Sequence, residues 1–443
     1  MAPLIDRIHK VFRGRTNHKQ GDGPQNLQQD TIRQQPLSQH DGANDRAQPA
    51  TAPQSKATVS KAATQTGTLQ VALQNQTNSS TVYAYITGQA IQNNNALFLL
   101  QADARTPYYP PNPSQTGTKI GVNISIPLGA PGNTVTATIP EIAGGRIWFS
   151  VGAPLVFAVN PGPGLVEPSV FNPSDPNINT NFGFAEFTFN SSQVFANISY
   201  VDFVALPISL TLQDTSGHVQ HVSGLPSNGL QTIANGLTAQ TQKDGRRWSS
   251  LIVNNSSGQL LRILSPNSGI LLNPSWFQPY WTDYINAVYS QYSSQPLTID
   301  TQASFGNVTG TVNASNVLNY GAGGSFAKPS AADIFSCSTG PFATGSNGET
   351  NTIIPRLSAA FNRSTLLLSN NTPNGTTASQ YYTNATTNHY ARIVHAANLD
   401  GLGYAFPYDD VTPDGGAPQE GAVFSGAPVL MTLAVGGNNA YAA

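Results

Sequence analysis

Two acidic side chains lie in segments whose aromatic and β-branched residues predict extended strands. Glu186 belongs to the segment 182–190 (FGFAEFTFN), and Asp202 belongs to the segment 197–204 (NISYVDFV). Successive residues of a strand alternate between its two faces. The even-numbered residues that share a face with one another are Phe182, Phe184, Glu186, Thr188 and Asn190. If the two segments pair as a hairpin with an even register sum, both carboxyl groups project from that face, roughly 5–9 Å apart.

A pair of carboxyl groups at this distance is suited to the hydrolysis of a glycosidic bond. That reaction needs one protonated and one ionised carboxyl group. Separations of about 6.5–9.5 Å leave room for an attacking water molecule, and about 5–5.5 Å indicates a covalent intermediate. Neighbouring phenyl rings remove water from Glu186, which should raise its pKa and suit it to the role of general acid. Asp202 would then act as the general base. The alternative is that both are ordinary strand carboxylates with hydrogen bonds or counter-charges.

Other types of site find little support. His218 and His221 are three residues apart and face opposite sides of an extended chain, which disfavours a metal site. Cys337 is the only cysteine, so neither a zinc-type cysteine cluster nor an intramolecular disulfide is possible. The glycine-rich segment 321–324 lacks the Lys and Ser/Thr of a phosphate-binding loop. We expect no metal and no cofactor.

The composition predicts a mainly β protein with a neutral partner. Charged residues make up 9% of the chain, whereas surface helices normally carry many. Asn, Ser, Thr, Gly and Pro, which favour turns between short strands, take their place. Residues 68–443 contain seventeen Asp/Glu and eleven Lys/Arg, which argues against nucleic acid as a partner. A polysaccharide is compatible with this charge, and no apolar run is long enough for a transmembrane helix.

The composition and the hydrophobic pattern of the sequence divide the chain into three parts. Residues 1–67 are polar and predict a disordered N-terminal tail. Short alternating segments predict a β domain formed by residues 68–215 and 386–443. Between them, residues 216–385 predict an inserted mixed α/β domain, with a helix over 277–292, an N-cap at Ser330 and a helix after Pro355.

Four short motifs resemble those of thaumatin-like proteins. The segments 185–190 and 198–203 are similar to the strand pair that carries the Glu and Asp of their acidic cleft. The segments 145–148 and 404–410 resemble two further signatures, in the expected chain order. Longer motifs narrow the resemblance to glycoside hydrolase family 64, and it covers essentially residues 68–437. These longer motifs are 98–110, 160–169, 172–177, 325–337 and 388–395.

This resemblance implies a fold and an activity. It implies a thaumatin-like β-sandwich or barrel with an inserted mixed α/β domain and a wide groove between the two. The known members are inverting endo-β-1,3-glucanases that release laminaripentaose. The family's acid and base correspond to Glu186 and Asp202, and its glucan-contacting Thr and Asn correspond to Thr188 and Asn190. Phe195 stands where some members have Trp.

Further residues are expected to line the groove, where they could bond sugar hydroxyls. The alternative for each residue is a purely structural role, in a turn or in the core. These residues are Asp103, Arg105, Tyr108, Tyr109, Arg146 and Asp409. Asn197 departs from the thaumatin-like pattern, since many of those proteins have Asp at this position, and this reduces the negative field around the pair.

Three functions from different classes compete. The favoured one is endo-acting hydrolysis of β-1,3-glucan by a monomer that releases short laminarioligosaccharides. The second is a non-catalytic glucan-binding protein, and the third is a structural shell or adhesion protein. The substrate suggests an extracellular or cell-wall location, but the N-terminus lacks the apolar region of a secretory signal. A cytoplasmic location and non-classical export therefore stay open.

Overall fold

The structure is a computed structural model that describes residues 67–437. The predicted disordered tail, apart from Gly67, lies outside the described residues. Within 67–437, no helix is both long and apolar enough to cross a membrane.

The described part of the chain is mainly β, as predicted. Its strands, in chain order, are β1 Thr68–Asn75, β2 Val82–Ala90, β3 Ala96–Leu100, β4 Pro107–Tyr108, β5 Thr118–Lys119, β6 Ile126–Pro127, β7 Thr134–Pro140, β8 Ile142–Val151, β9 Ala158–Asn160, β10 Gly164–Val166, β11 Asn181–Phe189, β12 Val194–Ile198, β13 Phe203–Val204, β14 Ile208–Asp214, β15 Val219–Val222, β16 Ile252–Asn254, β17 Leu260–Leu264, β18 Leu297–Asp300, β19 Asn307–Val312, β20 Leu318–Asn319, β21 Ser325–Phe326, β22 Asn371–Thr372, β23 Ala422–Ser425 and β24 Pro428–Val435.

Helices are concentrated between β15 and β23. They are α1 Gly229–Asp244, α2 Pro266–Leu272, α3 Thr282–Gln291, α4 Ala331–Ser336, α5 Gly348–Arg363 and α6 His389–Ala397. Short 3-10 turns are Ile91–Asn93, Arg247–Leu251, Gly321–Gly323, Gly340–Phe342 and Ala378–Gln380.

Two sheets share one hydrophobic core. The larger has the order β23-β12-β11-β8-β2-β3-β4, with β6 also paired to β2, and the smaller has the order β15-β14-β24-β1-β7. β1 and β24 are parallel, although they come from opposite ends of the described chain. The odd-numbered Phe187 and Phe189 of β11 are buried in this core, as the alternation predicts. The opposite face of β11 is therefore the one that can carry a site.

The helical part is tied to the β-sheets at both ends. β13, which follows directly after Asp202, pairs with β17 rather than with the large sheet. β15 still pairs with β14, so the β architecture continues to Val222. At the other end, the Tyr390 hydroxyl of α6 donates to the main-chain oxygen of Tyr200, just beyond β12, at 2.6 Å. The predicted domain division at residues 216 and 385 stays a prediction.

Helix boundaries show which sequence signals were reliable. Ser330 caps α4, as predicted, and the structure adds a capping box with Asp333. The helix predicted after Pro355 instead begins earlier, at Gly348, and Pro355 lies inside α5. The reason is that the Asn347 side chain accepts hydrogen bonds from two main-chain N–H groups of the first turn and so fixes the start.

Candidate active site

The register of the β11–β12 hairpin differs from the one on which the carboxylate pairing was predicted. Glu186 is paired with Asn197, and Ala185 with Ile198, so the paired numbers add up to an odd number. The assumption that paired residue numbers add up to an even number was therefore wrong. If β12 continued straight to Asp202, the two carboxyl groups would lie on opposite faces of the sheet.

The chain avoids this outcome because β12 ends at Ile198. Ser199 forms a bridge to Tyr404, and Asp202 lies in the bend that precedes β13. The main-chain oxygen of Asp202 accepts a hydrogen bond from Ser265 N–H at 2.9 Å. The prediction that Asp202 belongs to a second strand was therefore wrong. The bend frees its side chain from strand alternation.

Arg146 connects the acidic residues. It is the direct neighbour of Glu186 on β8, and its Nε–H and Nη2–H donate to Glu186 Oε1 at 3.4 and 3.3 Å. Its Nη1–H donates to Glu167 Oε2. Asp202 interacts electrostatically with both Arg146 and Glu186. Two carboxyl groups thus contact one guanidinium, and a third, that of Asp202, interacts with it electrostatically.

The aromatic surroundings hold that guanidinium in position. Arg146 Cζ lies 4.7 Å from the centroid of the Phe184 ring and 5.4 Å from that of Trp148. Trp148 is buried, and its indole N–H donates to Thr87 Oγ1 at 3.1 Å. A guanidinium over aromatic faces is favourably placed.

Burial dominates the acid–base properties of the cluster. It raises the pKa of Glu186; Arg146 partly opposes this effect, and the charge of Asp202 raises the pKa further. Burial also raises the pKa of Asp202, again with Arg146 acting in the opposite direction. Burial alone would lower the pKa of Arg146, but Glu167, Glu186 and Asp202 together raise it. The guanidinium stays charged, and the carboxyl groups hold protons more readily than in water.

Other predicted residues continue the same face of the sheet. Thr188 is paired with Phe195, and Phe195 is paired with Phe424 on the edge strand β23. Thr188 and Phe195 are partly exposed, and Phe424 is 55% exposed. Directly paired residues share a face, so these three side chains form a row next to the row of Glu186.

Asn190 lies at the hairpin turn, just beyond the end of β11. Its Oδ1 accepts hydrogen bonds from the main-chain N–H groups of Ser192 and Gln193, both at 2.9 Å. This oxygen closes the turn, and the residue as a whole is partly exposed.

Two residues expected in the groove, Asp103 and Tyr109, make contacts with residues close to them in the sequence. The Asp103 carboxylate accepts hydrogen bonds from the main-chain N–H groups of Arg105 and Thr106 and from the Thr106 hydroxyl, and these bonds lower its pKa. Tyr109 is 40% exposed, and its ring meets the edge of Phe98 at a centroid distance of 6.2 Å. No contact of the described residues joins either side chain to Glu186.

Asp409 does not line a groove, which corrects the prediction for this residue. Its side chain is fully buried and accepts hydrogen bonds from Arg363 at 3.0 Å and from His395 at 2.9 Å. Ala405 N–H donates a third, at 3.0 Å. The carboxylate is engaged in a buried ion-pair network and is not available to a sugar hydroxyl.

Two residues near the site were missed at the level of sequence. Glu167 lies in the motif 160–169, but nothing in the spacing indicated that its carboxylate would reach Arg146. Phe424 belongs to a short alternating segment near the C-terminus, whose pairing with β12 is a long-range contact. Within 67–437, no cluster of three or more His, Cys, Asp or Glu is arranged to hold a metal ion.

Comparison with known proteins gives a consistent match. A family model described as beta-1,3-glucanase, of glycoside hydrolase family 64, matches residues 67–435. A glucan endo-1,3-beta-glucosidase from Cellulosimicrobium cellulans is 29% identical over 287 residues, which cover 63% of this chain and 50% of that protein. The chain spans about half the length of the curated relatives it matches.

Solved structures agree with the fold. The crystal structure of a laminaripentaose-producing β-1,3-glucanase in complex with laminaritetraose has a TM-score of 0.73 and 30% identity, covering 83% of this chain and 98% of that one. A β-1,3-glucanase domain from Clostridium beijerinckii has a TM-score of 0.65 at 23% identity, with the same two coverages. At that lower identity the second match supports the fold alone.

Proposed function

Because this chain belongs to the β-1,3-glucanase family, glycoside hydrolase family 64, we propose that it is an endo-acting hydrolase of β-1,3-glucan. The observation that carries the proposal is the interaction of Glu186 with Asp202 beside a single guanidinium, with the pKa of each carboxyl group raised. Such a pair can hold one proton between two carboxyl groups. Hydrolysis of a glycosidic bond requires that state.

In the proposed mechanism Glu186 is the general acid. The repulsion between the two carboxyl groups is mutual, so ionisation of one raises the pKa of the other, as the charge of Asp202 does for Glu186. The family correspondence assigns the ionised form to Asp202, and Glu186 then retains its proton. As the glycosidic bond breaks, Glu186 gives this proton to the leaving oxygen. Asp202 takes a proton from the water that attacks the anomeric carbon from the opposite side, which inverts the configuration.

Arg146 would stabilise the carboxylate of Glu186 after this residue has given up its proton. Once Glu186 has given up its proton, its new negative charge lies 3.3–3.4 Å from the Arg146 nitrogens. A fixed cation at that distance stabilises the developing carboxylate without reorganisation. Exchange with solvent then returns the proton from Asp202 to Glu186 for the next cycle.

The finer description follows from the family resemblance. We propose a thaumatin-like barrel with an inserted mixed α/β domain, a glucan groove between them, and laminaripentaose as the main product. Thr188, Asn190 and Phe195 would contact the glucan on the face that continues from Glu186. The laminaripentaose-producing enzyme with 30% identity supports the product type.

Incubation with laminarin and with curdlan tests this proposal. Wild-type protein should release reducing ends, and proton NMR of the fresh product should show the α-anomer. Glu186→Gln and Asp202→Asn should lower kcat by about 10²- to 10⁴-fold while glucan pull-down persists. Glu349→Gln, in the first turn of α5, removes the same charge elsewhere and should leave kcat unchanged.

The outcomes separate the competing functions. A wild-type protein that binds curdlan but releases no reducing ends would be a non-catalytic glucan-binding protein. Products that retain the β-configuration would show that the mechanism is not inverting. Ordered assemblies in size-exclusion chromatography would favour a structural shell protein over the predicted monomer.

A further inference from the structure

Glu167 is a third carboxyl group at the Arg146 guanidinium, and the proposed mechanism does not use it. It follows β10 immediately and therefore reaches the site from a different sheet than Glu186. Arg146 directs Nη1–H to Glu167 and directs Nε–H and Nη2–H to Glu186. The two carboxyl groups occupy different edges of the same cation.

The contacts with Arg146 are unequal. The distances to Glu186 Oε1, 3.3 and 3.4 Å, are longer than those typical of a charge-assisted hydrogen bond. The contact with Glu167 is the closer one. Arg146 thus makes its shorter contact with Glu167 and its two longer contacts with Glu186.

The site is sufficiently closed for this division of charge to matter. The side chains of Arg146, Glu167 and Glu186 are 11%, 18% and 13% exposed. Charges interact more strongly where water is largely removed. One guanidinium cannot neutralise three ionised carboxylates, so at least one of the three groups retains a proton.

The remaining groups that face the acid are few. Asp202 and the Tyr404 hydroxyl interact electrostatically with Glu186, and Ser199 forms a hydrogen bond with it. Glu167 interacts with Asp202 as well as with Arg146. Tyr390 lies within electrostatic range of Asp202. Arg146 is the only cation among these neighbours.

We propose that Glu167 is a positioning residue that holds Arg146 away from full contact with Glu186 and so keeps Glu186 protonated for its role as acid. This inference rests on the proposed function. Without the charge of Glu167, Arg146 would pair with Glu186 alone and favour its ionised form. Burial raises the pKa of Glu186 and Arg146 opposes this effect, so the strength of the contact between Arg146 and Glu186 influences how readily Glu186 holds its proton.

The pH dependence of kcat/KM on soluble laminarin tests the proposal in Glu167→Gln, which keeps the shape and removes the charge. Protonation of Glu186 sets the alkaline limb of the profile. Because the substitution lowers the pKa of Glu186, that limb should move to lower pH, beyond the error of the fit. Glu167→Asp keeps the charge with a shorter reach, so its limb should move less, in the same direction. Glu349→Gln is the charge-matched control and should leave the limb unchanged.

Two results would overturn the inference. One is an alkaline limb that stays at the wild-type pH in Glu167→Gln while kcat falls at every pH, since Glu167 would then have only a structural role. If Glu167→Gln does not fold, as judged by its thermal melt, an unmoved limb in Glu167→Asp has the same meaning. Full activity in Glu186→Gln would refute the assignment of Glu186 as the acid, and this inference with it. A wild-type protein that releases no reducing ends from laminarin or curdlan would instead refute the proposed function itself.

Discussion

Replacement of Asp409 by Asn tests whether this residue is structural, as its contacts indicate, or binds sugar, as the sequence suggested. The Asp409 side chain is fully buried, and Arg363, its partner, is 2% exposed. Removing one member of a buried ion pair typically costs 3–5 kcal/mol. Arg363 retains hydrogen bonds to the main-chain oxygens of Val411 and of residue 409 itself. We therefore expect a loss of about 3 kcal/mol in the free energy of unfolding.

Guanidinium denaturation at pH 6 measures this loss, with the neighbouring Asp410→Asn as the matched control. The Asp410 carboxylate accepts a hydrogen bond from the Tyr404 hydroxyl at 3.1 Å, and an amide oxygen can still accept it. The control should therefore lose less than about 1 kcal/mol. A stability change below that value in Asp409→Asn, together with a tenfold rise in KM for glucan, would refute the structural role.

The ion pairs of Asp409 with His395 and Arg363 predict how the free energy of unfolding changes with pH. Burial lowers the pKa of His395, but Asp409 raises it above 6.5 overall. Its contribution to stability is present below pH 6.5 and is lost as pH rises through the folded pKa. Burial raises the pKa of Asp409, but His395 and Arg363 lower it below 3.8 overall. That contribution is present above pH 3.8 and is lost as pH falls. Asp409→Asn should therefore flatten the stability profile on both sides.

Other predictions concern single positions. Gly224→Ala should prevent folding, since φ is +64° and the new Cβ would lie 1.9 Å from the Ile208 carbonyl oxygen. In the control Gly217→Ala, φ is +82° and the space around the new Cβ is open, so the free energy of unfolding, followed by thermal melt, should fall by only about 1–2 kcal/mol. Burial raises the pKa of Cys337 to about 12, so a thiol reagent at pH 8 should label it only after denaturation, and rapid native labelling would contradict its burial. Phe424→Ala should raise KM about fivefold for long laminarin, as expected for about 1 kcal/mol, with an unchanged melting temperature; an unchanged KM would remove this ring from the glucan surface.

Local periodicity accounts for the parts of the fold that the sequence predicted correctly. Alternation in 182–190 predicted a strand with Phe187 and Phe189 in the core. Ser330, as a predicted N-cap, gave the correct start of α4. Both signals depend only on residues that are close together in the sequence. They can therefore be recognised without knowledge of distant contacts.

The sequence by itself determined which face of β11 carries Glu186, because a strand's alternation is fixed by its own residues. Only the tertiary structure decided how Asp202 approaches that face. β12 stops at Ile198 because Ser199 bridges to Tyr404 and β13 pairs with β17, and both contacts come from distant parts of the chain. The burial of Asp409 against Arg363 and the approach of Glu167 to Arg146 are likewise long-range pairings. The free energy of such contacts depends on how separate elements pack, which residue spacing along the chain does not encode.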